Sequence, residues 1–165
     1  MKKIVLGIIV IISLLLITGC TKKEKVKKEI NLNGNKYTCR DKDYSTNSFT
    51  TSTRYSVIMN NKKLNILLVE NDFKYAEDSK YKKACKNINK EAEDANSNTD
   101  YVQYEVKCDD DNNKIYVKKY YIINEASKNE NIKTMLSYTF DYINKDGTFN
   151  LSGWKEEMKK RGSTC

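Results

Sequence analysis

Residues of alternating polarity recur in four segments of this 165-residue chain. The segments are 51–59 and 63–70, separated by Asn60-Asn61, and 101–108 and 114–122, separated by the polar stretch 109–113. Successive side chains of a strand point to opposite faces, so a period of two gives the strand one apolar and one polar face. A short polar break between two such strands is typical of a hairpin. The sequence therefore predicts two antiparallel hairpins, each with one apolar face.

Between the hairpins, apolar residues return at steps of three or four, which is helical spacing. They are Tyr81, Ala84, Cys85, Ile88, Ala92 and Ala95. Asp78 or Ser79 could cap the start of this helix. A closing helix is expected over residues 151–161, ahead of Gly162. The pattern of residues 123–143 fits both a helix and a strand. Residues 131–136 suit a helical turn, whereas every second residue from Leu136 onward is apolar, as in a strand.

Strands and helices separated in this way predict an α+β fold. In this fold, amphipathic helices pack on one face of an antiparallel sheet that the two hairpins form. The length of the chain allows one domain of ordinary size with appendages. We expect that domain to comprise residues 37–165, preceded by a signal peptide and a flexible tether.

The first twenty residues predict export. Two lysines precede an apolar run over residues 4–17, which is too short to span a bilayer and is typical of a secretory signal. The run ends in Ile17-Thr18-Gly19-Cys20, which resembles the lipobox of bacterial lipoproteins. The resemblance implies transfer of diacylglycerol to the Cys20 thiol, cleavage between Gly19 and Cys20, and anchoring by acyl chains such as palmitate. A bare signal peptide or an uncleaved anchor helix is the alternative.

The basic charge lies mainly ahead of the expected domain. The whole chain has a net charge of +8, and residues 20–36, the lipidated cysteine and tether, hold six lysines and two glutamates. Residues 37–165 hold 22 basic and 20 acidic residues, so they lack the surplus that a nucleic-acid footprint needs. The tether is either a solvated spacer or lies near anionic lipid headgroups. The expected partner is the membrane, with no nucleic acid.

Four cysteines remain beside Cys20, and an even number in an exported domain indicates disulfides. Cys85 lies on the apolar side of the predicted helix and Cys108 on the apolar side of a predicted strand, so helix-on-sheet packing would bring them together. Cys39, in a short strand candidate, and the terminal Cys165 would form the second pair. Free buried thiols, a redox pair and a four-cysteine zinc site are the alternatives.

No catalytic constellation is found in the sequence. The chain has no histidine, which excludes mechanisms that need an imidazole, and it lacks a glycine-rich phosphate loop. The acidic stretch 109–113 fails as a calcium loop, because Lys114 stands at the glycine position and Tyr120 at the glutamate position. We expect a non-enzymatic protein without metal or cofactor. The following tyrosines form an exposed recognition surface or, the interpretation we favour, are half-buried strand residues: Tyr116, Tyr120, Tyr121, Tyr138 and Tyr142.

The arrangement resembles the YehR-like small bacterial lipoproteins, a family with no established activity. The lipobox ending in Cys20, Tyr37-Thr38-Cys39 at the start of the domain, the helix over 81–95 between two hairpins, and the closing helix before Gly162-Ser163-Thr164-Cys165 carry the likeness. It implies a lipid-anchored α+β domain on the extracytoplasmic face of the cell membrane and transfers no catalytic residue. The alternative function is a surface module that binds an envelope protein, a peptide or a glycan.

Overall fold

A computed structural model describes residues 30–165. This part of the chain has an α+β fold with six strands and five helices. The strands are β1 (Asn35–Arg40), β2 (Tyr44–Ser45), β3 (Phe49–Asn60), β4 (Lys63–Tyr75), β5 (Val102–Asp109) and β6 (Lys114–Ile122). The helices are α1 (Asp78–Asn98), α2 (Ile123–Ala126), α3 (Glu130–Met135), α4 (Ser137–Phe140) and α5 (Leu151–Lys160).

The strands form one antiparallel sheet in the order β1–β3–β4–β6–β5, and the short β2 also pairs with β3. The predicted hairpins are β3–β4 and β5–β6, and they join through β4 and β6. β5 therefore forms one edge of the sheet, and β1 and β2 lie at the other. The sequence analysis missed β2, which has only two residues, and the start of β1 at Asn35.

The first hairpin turns at Asn61-Lys62, one residue later than predicted, because Asn60 still pairs with Lys63. Asn61 and Lys62 have φ values of 49° and 63°. Two consecutive positive φ values are what a type I′ turn requires. The Phe149 N–H donates to the Lys62 carbonyl over 2.8 Å, which ties this turn to the chain ahead of α5.

The centre of β4 is buried on both faces of the sheet. Leu67 and Val69 belong to the main core beneath the helices, whereas Ile66 and Leu68 lie in a separate cluster on the opposite face. Strict alternation predicts that Leu64 joins Ile66. Instead, a register shift between Ile58 and Met59 pairs Met59 with Leu64 and brings Leu64 into the main core.

All the helices that contribute to the apolar core pack on one face of the sheet. α1 places the fully buried Tyr81 against Ile115 and Val117, and α5 places Trp154 and Met158 in the main core. The expected cap of α1 by Asp78 or Ser79 is wrong: the N-cap residue is Glu77, which makes no side-chain capping bond. Packing rather than capping therefore positions the start of this helix.

Residues 123–143, which the sequence left open, contain the three short helices α2–α4. The Leu136 N–H donates to the Ile132 carbonyl over 2.9 Å, and the Asn129 side chain accepts from two amides of the first turn of α3. Leu136 is buried and Phe140 is partly buried in the main core. Spacing by four in a helix, rather than by two in a strand, explains why both are apolar.

Candidate functional site

The predicted lipid-attachment residues, Gly19 and Cys20, lie outside the described residues. The described chain begins at Ile30, which is partly buried. Ile30 packs on a buried cluster of Ile58, Ile66, Leu68 and Tyr120. These four side chains point away from the helices, and we call this side of the sheet the open face. The chain therefore enters the domain across the open face.

The structure joins Cys85 to Cys108, which links α1 to the edge strand β5. This is the pair that helix-on-sheet packing favours in the sequence. Both cysteines are partly buried beside Ile115. The Asn89 side chain donates to the Cys85 carbonyl over 3.1 Å and lies 3.5 Å from the Cys108 sulfur. The bridge fixes α1 across the second hairpin.

The second disulfide joins Cys39 of β1 to the terminal Cys165. Gly162, with a φ of 96°, reverses the chain after α5, and the Ser163 N–H donates to the Met158 carbonyl over 3.0 Å. The chain then runs antiparallel to β1, where Arg40 and Thr164 exchange two backbone hydrogen bonds of 2.7 and 2.8 Å. The C-terminus is thus locked onto the first strand.

A side-chain hydrogen bond also holds the last residues beside β1: the Ser163 hydroxyl donates to the Asp41 carboxylate. Ser163 is buried, and Asp41 lies near the half-buried Tyr55. Burial, followed by the charge of Asp41, raises the pKa of Tyr55. This hydrogen bond therefore joins the segment after α5 to the residue that follows β1.

The open face changes from apolar to charged along the strands. Beyond the apolar cluster, the register places Arg54 beside Glu70, Glu70 beside Lys118, and Lys118 beside Glu105. Arg54 lies 3.7 Å from the Glu70 carboxylate and 3.2 Å from that of Asp72. Charges of opposite sign thus alternate across four strands.

These charged residues line a groove of about 550 Å³ on the open face, together with Tyr116 and Lys107. Glu70 and Asp72 both pair with Arg54, so the two carboxylates belong to one ion-pair network. A groove of this composition presents donors and acceptors on a solvent-accessible sheet surface.

At the far end of the open face, Lys74 of β4 lies directly opposite Lys114 of β6. Like charges in this position destabilise a sheet. Lys107 lies on the next strand, opposite Tyr116, and Asp109 lies opposite Lys114. Within residues 30–165, no carboxylate forms an ion pair with Lys74, Lys107 or Lys114. We call these three residues the lysine corner.

A polar cluster lies on the helical face of the sheet, where α1 meets it. The Tyr104 hydroxyl donates to Glu91 over 3.0 Å, and the Lys119 ammonium lies 3.6 Å from the same carboxylate and 4.8 Å from the centre of the Tyr104 ring. Burial, followed by the bond to Glu91, raises the pKa of Tyr104. The adjoining cleft measures only about 140 Å³. Each polar group has a partner, so the cluster serves to attach α1.

The tyrosines that could have formed a recognition surface are distributed over both faces of the sheet. Tyr120 and Tyr121 are buried, and Tyr116, Tyr138 and Tyr142 are partly buried. Leu32, Tyr44 and Met135 are the exposed large apolar residues of the described chain, and they lie on separate segments. These five tyrosines therefore do not form one exposed surface.

Side chains of the acidic turn, residues 109–113, accept hydrogen bonds from within the turn and from α1. The Asn112 amide donates to Asp109, and the Tyr81 hydroxyl donates to Asp110 over 2.6 Å. In the described part of the chain, no group of three or more His, Cys, Asp or Glu residues is arranged to hold a metal ion. None of the helices within residues 30–165 has the length and apolar content to span a bilayer.

The geometry defines a small α+β domain with two disulfides, one helical face and one charged open face. No protein-family model matches this chain, and no curated protein matches it either. Among solved structures, the chain is similar to the NMR structure of a protein from Streptococcus pneumoniae TIGR4, with a TM-score of 0.48 and 10% sequence identity. The similarity covers 88% of this chain and 96% of that one.

The sequence analysis missed the open-face charges as a group. The signal was present, because Arg54, Glu70, Asp72, Glu105 and Lys118 occupy the polar positions of the alternating segments. Assigning them to one surface requires the order of the strands. That order depends on the pairing of β4 with β6, which joins two hairpins far apart in the chain.

Proposed function

We propose that this protein is a non-enzymatic bacterial lipoprotein, whose α+β domain is held at the extracytoplasmic face of the cell membrane by lipid on Cys20. The observation that carries the proposal is the use of the cysteines. The chain has five, and the structure pairs Cys39 with Cys165 and Cys85 with Cys108. Cys20, the cysteine of the lipobox-like motif, is left over.

The two disulfides support an exported protein, because such bonds persist in oxidising compartments. Export agrees with the lysines and the short apolar run that precede Gly19. Two acyl chains on one residue hold a protein stably on a membrane, whereas one chain gives only marginal binding. The resemblance to the YehR-like lipoproteins belongs to the same proposal.

Substitution of Cys20 tests the proposal. We compare Cys20→Ala with Thr21→Ala, expressed as full chains in the same bacterium, by membrane fractionation and intact mass. We expect Thr21→Ala to be cleaved before Cys20 and to carry the diacylglyceryl mass, whereas Cys20→Ala keeps residues 1–19. Both variants retain the four paired cysteines, so a non-reducing gel checks that each has folded. Normal cleavage and normal membrane retention of Cys20→Ala would contradict the proposal.

A further inference from the structure

We propose that the open face lies against the anionic headgroup surface of the membrane, with Ile30, where the tether enters, at one end of the face and the lysine corner at the other. This inference rests on the proposed lipid anchor and adds an orientation to it. The helices would then face away from the bilayer. The ligand is the phosphate-bearing surface of an anionic phospholipid.

The tether reaches the domain on the open face. Ile30 packs on the apolar cluster of the open face, and Lys36 lies 3.6 Å from Glu70 on the same face. Ile30 lies ten positions after Cys20, so the chain between them spans at most about 35 Å. A short tether that enters across one face brings that face, rather than the opposite one, toward the bilayer.

The lysine corner lies far from the point where the tether enters. Lys74 is six positions after Leu68, which lies beneath Ile30, and six steps correspond to about 20 Å along a strand. A domain held by a single tether can rotate relative to the membrane. A second contact with the membrane, this far away on the same face, restricts that rotation. The face between the two contacts is the sheet surface itself, since the core-forming helices pack on the other side.

The charge of the open face is also positive. It carries seven basic residues and five acidic ones: Lys36, Arg40, Arg54, Lys74, Lys107, Lys114 and Lys118 against Asp43, Glu70, Asp72, Glu105 and Asp109. Glu70, Asp72 and Glu105 are engaged by Lys36, Arg54 and Lys118. The lysine corner keeps its repulsion between Lys74 and Lys114, and phosphate groups beside the two ammonium ions would relieve it.

Lysine footprinting of the mature acylated protein tests this orientation. The protein is reconstituted into vesicles of phosphatidylcholine alone, into vesicles with about 30% phosphatidylglycerol, and into detergent micelles, and is then acetylated and read by mass spectrometry. We expect acetylation of the lysine corner to slow about threefold or more in the anionic vesicles only, and to recover at high salt. Lys83, Lys86 and Lys90, exposed on α1, are internal controls and should react equally in all three.

A matched pair of variants gives a second readout. We expect Lys74→Gln/Lys107→Gln/Lys114→Gln to remove the charge-dependent protection of the nearby Lys118, and Lys83→Gln/Lys86→Gln/Lys90→Gln to retain it. Equal protection in neutral vesicles, no protection, or protection of the α1 lysines instead would each overturn the orientation. Protection in intact cells but not in anionic vesicles would also overturn it, since a protein would then cover the face. Failure of acylation is read separately, from intact mass and vesicle flotation.

Discussion

The side-chain amide of Asn96 pairs with the main chain of Tyr104 as a neighbouring strand would. The Tyr104 N–H donates to Asn96 Oδ1 over 2.7 Å, and Asn96 Nδ2 donates to the Tyr104 carbonyl over 3.0 Å. Tyr104 lies on the edge strand β5, whose outward backbone groups could pair with another chain. The Thr99 hydroxyl donates to the Val102 carbonyl over 3.3 Å, one outward position earlier. The last turn of α1 and the residue after it thus cover part of this edge.

Substituting Asn96 should destabilise the domain and uncover the edge. Asn96→Ala leaves the N–H and the carbonyl of Tyr104 without these partners, and we expect the free energy of unfolding in urea to fall by about 1–3 kcal/mol. We also expect concentration-dependent self-association by analytical ultracentrifugation. Asn87→Ala, at an exposed position of the same helix, is the control. An Asn96→Ala protein as stable and as monomeric as this control would contradict the account.

Lys62→Gly should stabilise the first hairpin. Lys62 has a φ of 63°, a region that a residue with a Cβ atom adopts at a cost and that glycine adopts readily. We expect the variant, which creates an Asn-Gly type I′ turn, to gain about 0.5–1 kcal/mol in the free energy of unfolding. Lys62→Ala removes the same side chain but keeps the Cβ atom, so it should gain nothing. Equal gains in the two variants would show that backbone conformation is not the cause.

The two disulfides should contribute unequally to stability. In the loop-entropy model, the Cys39–Cys165 bridge, with a sequence separation of 126, contributes about 5 kcal/mol, and the Cys85–Cys108 bridge, with a separation of 23, about 3 kcal/mol. We expect the double alanine variant of the first pair to unfold at a lower urea concentration than that of the second. Non-reducing peptide mapping of the unmodified protein accompanies the comparison. The reverse order of stability would contradict a dominant role for loop length.

Alkaline pH should destabilise the fold through its buried tyrosines. Burial, reinforced by the bond to Asp110, raises the pKa of Tyr81 to about 12, and burial with the bond to Glu105 does the same for Tyr120. A phenol with a raised pKa in the folded state stabilises that state fully below its ordinary pKa of about 10, and the contribution is lost as the pH rises through 12. We expect the free energy of unfolding to fall between pH 10 and 12, and to fall less steeply in Tyr81→Phe. Parallel curves for the two proteins would contradict this assignment.

The sequence predicts the strands and the long helix because their patterns are local. The spacing from Tyr81 to Ala95 and the alternation from Val102 to Cys108 each follow from one element packing on one core. The features it missed depend on partners elsewhere in the chain. β2 exists because β3 extends beyond its pairing with β1, and Leu64 changes face because of the shift at Ile58/Met59.

The candidate site divides in the same way. The motif around Cys20 can be recognised in four consecutive residues. The Cys85–Cys108 pair follows from the faces of two predictable elements, and Cys39 and Cys165 are the two cysteines that remain. The lysine corner could not be predicted from the sequence. Lys74 of β4 and Lys107 of β5 lie on either side of β6, and they come near each other only because β4 pairs with β6. No local pattern in either hairpin specifies that pairing.

We propose that lipid on Cys20 anchors a disulfide-bonded domain outside the cytosol. The decisive measurement is the intact mass of native protein, extracted from the membrane fraction without reducing agent. We expect a chain that begins at Cys20, carries glyceride-linked acyl chains and lacks four hydrogen atoms because of its two disulfides. A soluble chain that still begins at Met1 and contains five free thiols would contradict the account.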